Sequence, residues 1–415
     1  MAGKYLILSF FLLIGSSSSS DKDINQWTRF RGADGLGIDT SGKAPTTWAE
    51  SDYRWKITLP GTGHASPVVW GDKIFVTSSD DEGDLGYVMA INEQNGELLW
   101  QKEFKIGELI MHKDNNLASP SPAVDESQLY IIWYSKELTS LAVLTHDGIL
   151  QWEAKFPGIE ARHGGGSSLT LTDKYVIFTR EQEEGSSVNS SWLAVNKQTG
   201  KVGWELKRES ATRNSFSTPI LVHNDNNEAL LIFTSEAHGF TAVDPGSGEV
   251  IWERKSLLTH RVVASPVYAN GMIIASRKGE AMALEVDENL NPVADSARYS
   301  LPPNLSPYVP TPIVVGDHLY LFMDNGMVAC VVLATGELLW KERPAGPIYG
   351  SPICVGGNLY CMTKEGEVIV VRAQPVYDLL GIHALGDESF STPLMSPSGM
   401  VFRTFSKLLL LNNSD

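Results

Sequence analysis

The chain alternates short apolar runs with turns, and one such unit returns along almost its whole length. Residues 63–78 read GHASPVVWGDKIFVTS, and residues 349–363 read YGSPICVGGNLYCMT. Each unit begins with a small residue and Ser-Pro, continues through an apolar run and a turn that contains Gly, and ends in a second apolar run. Short apolar runs bounded by turn residues predict β-strands joined as hairpins, and helical periodicity is almost absent.

Two marks give the period of this repeat. A Gly stands four residues before a Trp in NGELLW, DGILQW, TGKVGW, SGEVIW and TGELLW, and the last interval is about twice the others, so one period has lost its Trp. Ser-Pro or Thr-Pro marks seven periods, and Ser167-Ser168 fills the remaining place without Pro. The chain is therefore predicted to contain eight units of roughly 45 residues. The dipeptides are Ser66-Pro67, Ser121-Pro122, Thr218-Pro219, Ser265-Pro266, Thr311-Pro312, Ser351-Pro352 and Thr392-Pro393.

Four short antiparallel strands in each of eight units predict an all-β fold, an eight-bladed β-propeller. The Gly suits a hairpin loop with positive φ, and the Pro suits the start of a strand, where a missing N–H is tolerated. We expect the Trp side chains to pack between blades. The last unit, residues 389–412, has only three strands, whereas YRWKITLPG around Trp55 reads as a fourth strand without the first three. We therefore predict that the N-terminal strand completes the last blade and closes the ring, which hides the sheet edges.

The N-terminus predicts export. An apolar run from Tyr5 to Ile14 follows Lys4 and precedes GSSSSS. This run is too short to span a bilayer, which needs about 20 residues, and it fits a cleaved signal peptide. The predicted organisation is a signal peptide at 1–20, an N-terminal extension at 21–52 and the propeller at 53–412. The mature chain is expected in the periplasm or outside the cell, without a transmembrane segment.

Amino-acid composition and net charge indicate a folded protein and argue against some classes of partner. The 415 residues are 42% hydrophobic and 20% charged, which is typical of a folded protein. A net charge of −16 argues against a nucleic-acid partner, because phosphate binding needs clustered Lys and Arg. We expect a monomer. Cys354 and Cys361 would lie diagonally in one hairpin, too far apart for a disulfide, so we interpret both, with Cys330, as small buried apolar residues.

Two acidic stretches do not match a metal site. SSDDEGDLG at 78–86 and REQEEGSS at 180–187 lack the oxygen spacing of a calcium loop, and we interpret both as solvated loops. No nucleophile elbow, CxxC pair, HExxH or phosphate loop is present in the sequence.

The best candidate site lies where connectors enter the innermost strands, around one mouth of the channel. The connectors GTGHA, ARHGGG, ATRNSF and THRVVA contain no acidic residue. A cationic arc facing an aromatic arc predicts a site for an anionic, ring-bearing ligand, through charge and stacking. The alternative is that these side chains only cap strand ends and bond neighbouring carbonyls. The candidates are His64, Arg162, His163, Arg213, His260 and Arg261 in the cationic arc, and Tyr308, Tyr349 and Phe390 in the aromatic arc.

These motifs resemble secreted bacterial members of the pyrroloquinoline-quinone (PQQ)-like propeller repeat family. The resemblance rests on the Gly-x-x-x-Trp strands, the hairpin SPVVWGDKIFV and WTRFRGADGLG at 27–37, and it covers nearly the whole mature chain. It implies one of two functions. Propellers of the BamB type are non-catalytic scaffolds in outer-membrane-protein assembly. Quinoprotein dehydrogenases bind PQQ with Ca²⁺ and carry two adjacent cysteines, which this sequence lacks.

The sequence thus favours an exported, non-enzymatic propeller that binds a protein partner, or a small anionic or saccharide ligand, on its connector face. No cofactor is expected to be required. The alternative is a PQQ-dependent oxidoreductase or a degenerate relative that kept the pocket. PQQ, a tricarboxylate, is the first ligand to test, and acidic saccharides are the second.

Overall fold

The computed structural model describes residues 26–40, 42–80, 85–108 and 111–413. Within these residues, eight antiparallel β-sheets of four strands follow one another around a central channel, and a short extra strand joins one of them. The predicted all-β, eight-bladed propeller is confirmed. Helical structure in the same residues consists of two short 3₁₀ helices, Glu50–Asp52 and Pro303–Leu305.

Each blade runs from an innermost strand at the channel to an outermost strand at the rim. Blades 1 to 4 consist of Val68–Trp70, Lys73–Ser79, Leu85–Asn92 and Leu98–Lys105; Ala123–Val124, Gln128–Tyr134, Leu138–Thr145 and Leu150–Pro157; Thr170–Leu171, Tyr175–Arg180, Ser190–Asn196 and Val202–Arg208; and Ile220–His223, Ala229–Ser235, Gly239–Val243 and Val250–Arg254. Blades 5 to 8 consist of Val267–Ala269, Met272–Arg277, Glu280–Glu285 and Tyr299–Leu301; Ile313–Val315, His318–Phe322, Val328–Val332 and Leu338–Glu342; Ile353–Val355, Asn358–Met362, Glu367–Arg372 and Leu379–Ala384; and Leu394–Ser396, Gly399–Arg403, Lys407–Asn412 and Tyr53–Thr58.

The ring is closed by the N-terminal strand, as predicted. Tyr53–Thr58 pairs antiparallel with Lys407–Asn412, and Trp55 lies opposite Leu410. The first and last parts of the described chain therefore share one sheet. The N-terminal strand thus supplies the outermost strand of blade 8 and joins the two ends of the ring.

A circle of hydrogen bonds joins the starts of the innermost strands. In every blade, the buried Ser or Thr of the repeated dipeptide donates its backbone N–H to the hydroxyl of its counterpart in the next blade, at 2.9–3.1 Å. Blade 3 lacks the Pro but keeps the hydroxyl, on Ser168. The hydroxyl, and not only the Pro, explains why this position recurs. The circle runs through Ser66, Ser121, Ser168, Thr218, Ser265, Thr311, Ser351, Thr392 and back to Ser66.

The repeated Trp side chains pack between blades, which confirms the prediction. The Trp204 ring lies against Gly248 of the next blade so closely that a Cβ there would be 2.7 Å from Cδ2 of the ring. The indole N–H of Trp204 donates to the carbonyl of Pro245 in the same turn. Where one period has lost its Trp, Tyr299 takes the place and donates its hydroxyl to the carbonyl of Leu333. The Gly is therefore required both by positive φ and by the neighbouring ring.

Residues 27–39 of the predicted extension lie inside the channel. The carbonyl of Thr28 accepts a hydrogen bond from the N–H of Val124 in blade 2. Farther along, Ile38–Asp39 pairs in parallel with Ile353–Val355, the innermost strand of blade 7. We call residues 27–39 the channel segment. It joins blades that are distant in the sequence and fills space that the inner strands leave open.

Two buried arginines shape the channel segment. Arg29 donates from Nε to the carbonyl of Ala33, and Arg31 donates from Nη2 to the carbonyl of Leu36. Burial lowers the pKa of Arg29 to about 10 and that of Arg31 to about 9. A Cβ on Gly35, which has φ +78, would lie 2.4 Å from the Arg29 guanidinium. The pattern RGADGLG therefore folds into a compact turn around its own arginines.

Several predictions concern other parts of the chain. The signal peptide at 1–20 and residues 81–84 of the first acidic loop lie outside the described residues. Cys330, Cys354 and Cys361 are buried and free, as predicted. Across the described ranges, no helix is long and apolar enough to span a bilayer.

Gly248→Ala tests the contact between Trp and Gly. It should lower the free energy of unfolding by about 1 kcal/mol or more, because a Cβ is disfavoured at positive φ and meets the Trp204 ring. Gly279→Ala is the matched control, since Gly279 has φ +90 but no atom within 4 Å of the added Cβ. Urea unfolding measures both variants. An equal loss in the two would show that the ring contact adds nothing.

Thr311→Val tests the hydroxyl circle. It keeps the shape of the side chain but removes the acceptor of the Ser265 N–H, which lies 3.0 Å from Oγ1. A buried donor without a partner should cost about 1–3 kcal/mol in the free energy of unfolding. Thr311→Ser keeps the acceptor and should stay near the wild type. If valine and serine give the same urea midpoint, the circle does not stabilise the ring.

Candidate functional site

The connectors that enter the innermost strands enclose a chamber of about 270 Å³ at one mouth of the channel. All eight residues of the hydroxyl circle line it. Phe30, from the channel segment, also lines it. The channel segment therefore contributes an aromatic ring to the chamber.

Aromatic side chains form one wall of the chamber. Tyr308, Tyr349 and Phe390 all line it, as the predicted aromatic arc requires. The Tyr349 and Phe390 rings are 5.0 Å apart, and the His64 ring is 4.7 Å from that of Phe390. Phe216, which the sequence analysis did not single out, lines the chamber from blade 4. The chamber therefore presents ring faces from several blades.

The predicted cationic arc is only partly brought together. His64, His163 and Arg261 line the chamber. Arg162 lies instead in a surface pocket with Glu183, and its side chain is 73% exposed. The remaining two candidates, Arg213 and His260, are not among the side chains that line the chamber.

Carboxylates neutralise much of this arc. Arg162 and Arg261 both pair with Glu183, at 3.0 and 3.4 Å, and Arg213 approaches Glu236 to 3.7 Å. These acids come from turns between the second and third strands of blades 3 and 4, and not from the connectors. The connector sequences alone could not reveal them, because the turns meet the connectors only in the folded blade.

The interpretation of residues 180–187 as a solvated loop is wrong for its first half. Arg180, Glu181, Gln182 and Glu183 are all at least nine-tenths buried. The indole N–H of Trp192 donates to Glu181 Oε1 at 2.6 Å. Burial raises the pKa of Glu181 to about 7. The acidic run is therefore a buried, hydrogen-bonded part of blade 3, and its polar partners explain why charges are tolerated there.

Three imidazoles of the mouth, those of His64, His163 and His260, carry little positive charge. Burial, reinforced by the charge of Arg403, lowers the pKa of His64 to about 3. Burial also lowers the pKa values of His163 and His260, and nearby arginines add to the effect. Among the predicted cations that line the chamber, Arg261 therefore supplies the positive charge, and His64 and His163 supply little.

The connector into blade 2 crosses the mouth. Asn115 donates from Nδ2 to the carbonyls of His163 and Gly165 in the connector of blade 3. The adjacent Asp114 accepts a hydrogen bond from the hydroxyl of Tyr349, at 3.0 Å, in the connector of blade 7. Blades 3 and 7 are four places apart in an eight-bladed ring and so face each other. We call residues 111–119 the strap.

The strap also brings a lysine into the site. Nζ of Lys364 is 3.4 Å from Asp114 Oδ1 and lies over the Tyr349 ring, 4.2 Å from its centroid. Burial works to raise the pKa of Asp114, but the Tyr349 hydrogen bond and the Lys364 charge outweigh it and hold the pKa below its ordinary value. The sequence analysis passed over this connector, whose only signal was its greater length.

A family model described as outer membrane protein assembly factor BamB matches residues 84–302 and 294–374 of this chain. Curated relatives carry the same description. The Yersinia pestis protein is 22% identical over 341 residues, which are 80% of this chain and 69% of that protein. The Alteromonas naphthalenivorans protein is 23% identical over 274 residues, or 64% of this chain, and the match spans about half of that protein, 52%.

Solved structures share the fold. A europium-containing methanol dehydrogenase has a TM-score of 0.70 and 10% identity, with 92% of this chain and 90% of that one covered. BamB from Moraxella catarrhalis has a TM-score of 0.60 and 14% identity, with coverages of 86% and 96%. Quinohemoprotein alcohol dehydrogenase from Comamonas testosteroni has a TM-score of 0.65 and 12% identity, with coverages of 94% and 81%. At such identities these likenesses establish the fold alone.

The dehydrogenases raise the question whether a metal-bound quinone fits the chamber. A calcium ion needs six to eight oxygen ligands, several of them carboxylates. The carboxylate that lines the chamber, Asp114, is already bonded to Tyr349 and Lys364. The described residues contain no group of three or more His, Cys, Asp or Glu suited to a metal ion. The residues present therefore do not fit a metal-bound quinone.

Glu181→Gln tests the burial of the acidic run through pH. The folded-state pKa of Glu181, about 7, lies above its ordinary 4.5, so its contribution to stability is complete below about pH 4.5 and is lost as pH rises to about 7. The difference in unfolding free energy, wild type minus variant, should therefore fall by roughly 1 to 3 kcal/mol over that range. Glu184→Gln, at an exposed neighbour, is the control. Parallel pH profiles for the wild type and Glu181→Gln would contradict the shift.

Proposed function

The chain belongs to the family described as outer membrane protein assembly factor BamB, and we propose that it is a non-enzymatic propeller that binds a small anionic, ring-bearing ligand in its chamber. The chamber lies in the connector face, where the loops of all eight blades meet. Its volume of about 270 Å³ suits a small molecule better than a folded partner.

Arg261 carries this proposal. Its side chain lines the chamber, is about nine-tenths buried, and pairs with Glu183 through Nη2. Its Nε–H has no acceptor within the described part of the chain. A buried charged donor without an acceptor is unfavourable, so a ligand that supplies an acid oxygen there gains a charged hydrogen bond.

The aromatic side chains and the hydroxyl circle of the chamber suit the ring and the polar groups of such a ligand. Tyr308, Tyr349 and Phe390 present ring faces on which a planar or sugar ring can stack. Each hydroxyl of the circle uses one lone pair for a backbone N–H and can turn its own hydrogen toward the chamber. The chemistry of the chamber therefore combines the Arg261 cation, ring faces and neutral donors, which supports an acidic ligand with a ring.

A protein partner on the same face is the second candidate. The relatives described as outer membrane protein assembly factors favour it, as does the fact that every connector reaches this face. We place the protein in the periplasm or outside the cell, as a monomer, because the relatives carry an outer-membrane description and the N-terminus reads as an export signal. In this setting the chamber ligand and a protein partner can occupy one face.

Calorimetric titration with PQQ, without metal, tests the ligand, because one of its three carboxylates can reach Arg261. Arg261→Gln should weaken binding at least about tenfold, because it removes a charged hydrogen bond worth roughly 1–3 kcal/mol. Arg162→Gln is a matched control, since Arg162 pairs with the same Glu183 but lies outside the chamber. It should bind as the wild type does.

Equal affinities for the two variants, or no binding by the wild type, would contradict the small-ligand proposal. A second assay separates the oxidoreductase alternative. Alcohol-dependent dye reduction by the purified protein with added PQQ and Ca²⁺ would show that alternative to be correct.

A further inference from the structure

The strap supplies a carboxylate to the chamber, and its position bears on how a ligand enters. Asp114 accepts hydrogen bonds from the hydroxyl of Tyr349, which lines the chamber, and from the ammonium of Lys364, which lies over the Tyr349 ring. Lys364 also lies 4.8 Å from the centroid of the Phe390 ring. A cation beside two ring faces is the environment that an acidic ring compound would seek. Here the protein's own aspartate holds that position.

The strap is anchored unequally along its length. Its C-terminal part is fixed to blade 1, because the carbonyl of Ala118 accepts the N–H groups of His64 and Ala65 at 3.1 and 2.8 Å. Asn115 is fixed to blade 3 through two carbonyls. Within the described residues, the hydrogen bonds of Asp114 to blade 7 come from two side chains, Tyr349 and Lys364, and Lys364 is 26% exposed. The Asp114 side chain can therefore leave these two donors while Asn115 and Ala118 keep their backbone contacts.

We propose that Asp114 is a built-in competitor for the acid group of the ligand. In the closed arrangement, its carboxylate occupies the subsite formed by Tyr349 and Lys364. A ring-bearing carboxylate that enters the chamber displaces Asp114 and takes over its two donors. The inference rests on the proposed function, since it names the chemistry of the same chamber: a carboxylate on a ring, bound at the edge between blades 7 and 8.

This arrangement has a consequence for selectivity. A neutral ring compound gains the ring faces but cannot replace the aspartate, so the strap stays closed over the mouth. A carboxylate replaces one anion by another at Lys364, so the ammonium stays paired. The contact of Asp114 with Tyr349 and Lys364 thus favours the binding of acids over that of their neutral analogues, although both have the same ring.

Two variants separate competition from simple support. Asp114→Asn keeps the size of the side chain but removes the charge, so galacturonate should bind about five- to tenfold more tightly than to the wild type. Lys364→Met also breaks the contact between Asp114 and Lys364, but it removes the cation that the ligand carboxylate would bind. Galacturonate binding should therefore become at least about tenfold weaker. Asp317→Asn, at an exposed turn on another part of the propeller, makes the same charge change and should leave affinity unchanged. Galactose, the neutral analogue, does not use the Lys364 charge, so its binding should not become weaker in Lys364→Met.

Hydrogen exchange followed by mass spectrometry reads the strap without any ligand. Peptides covering residues 111–114 should exchange faster in Asp114→Asn and Lys364→Met than in the wild type. In Asp317→Asn, the exchange rate of the same peptides should match that of the wild type. Unchanged exchange together with unchanged galacturonate affinity in Asp114→Asn would overturn the inference and leave the proposed function intact. Faster exchange without binding of galacturonate or PQQ to any protein would overturn the proposed function and the competitor role with it. Weaker binding to Asp114→Asn would show that Asp114 supports the site and does not compete for it.

Discussion

The hydroxyl circle is the constraint on which the rest of the structure depends. Each innermost strand begins with a backbone N–H that points away from its own sheet and is buried next to the channel. A buried amide without an acceptor is unfavourable, and the hydroxyl of the next blade is the acceptor that each one finds. Because every blade both donates and accepts, the set is satisfied only when the ring is closed. The circle therefore ties the buried amide at the start of each innermost strand to closure of the ring.

The Trp side chains at the rim and the channel segment fill the spaces that eight blades arranged in a ring leave open. Blades diverge outward, and the Trp rings that lie on the Gly turns of the next blade, such as Trp204 on Gly248, fill the widening gap with large flat surfaces. At the centre, eight short strands leave an opening that their own side chains do not fill. Residues 27–39 fill it by pairing with blades 2 and 7. The same segment carries Phe30 to the base of the chamber.

The features that recur could be predicted from the sequence, and the features that occur once could not. Strand hairpins, blade number, Trp packing and closure by the strand around Trp55 all follow from a period that is repeated many times. The channel segment has no periodicity, so nothing in residues 27–39 signalled its place. The acids that neutralise the predicted cations meet them only through the fold, as Glu183 meets Arg261 across 78 residues of sequence. An acidic run such as that around Glu181 reads as solvated unless its buried partners are known.

The distinction between recurring and single features also bears on the place of the proposed ligand site. A repeat imposes similar surroundings on every connector, so a binding site with direction and selectivity has to arise where the repeat is broken. Three such departures meet at one chamber: the channel segment beneath it, the strap above it, and Arg261, whose neighbour Glu183 leaves its Nε–H without an acceptor. Of the three, Arg261 does not help the fold in this respect, because an unpaired buried donor opposes folding. The place of Arg261 in the cavity is therefore better explained by the proposed ligand than by the stability of the ring.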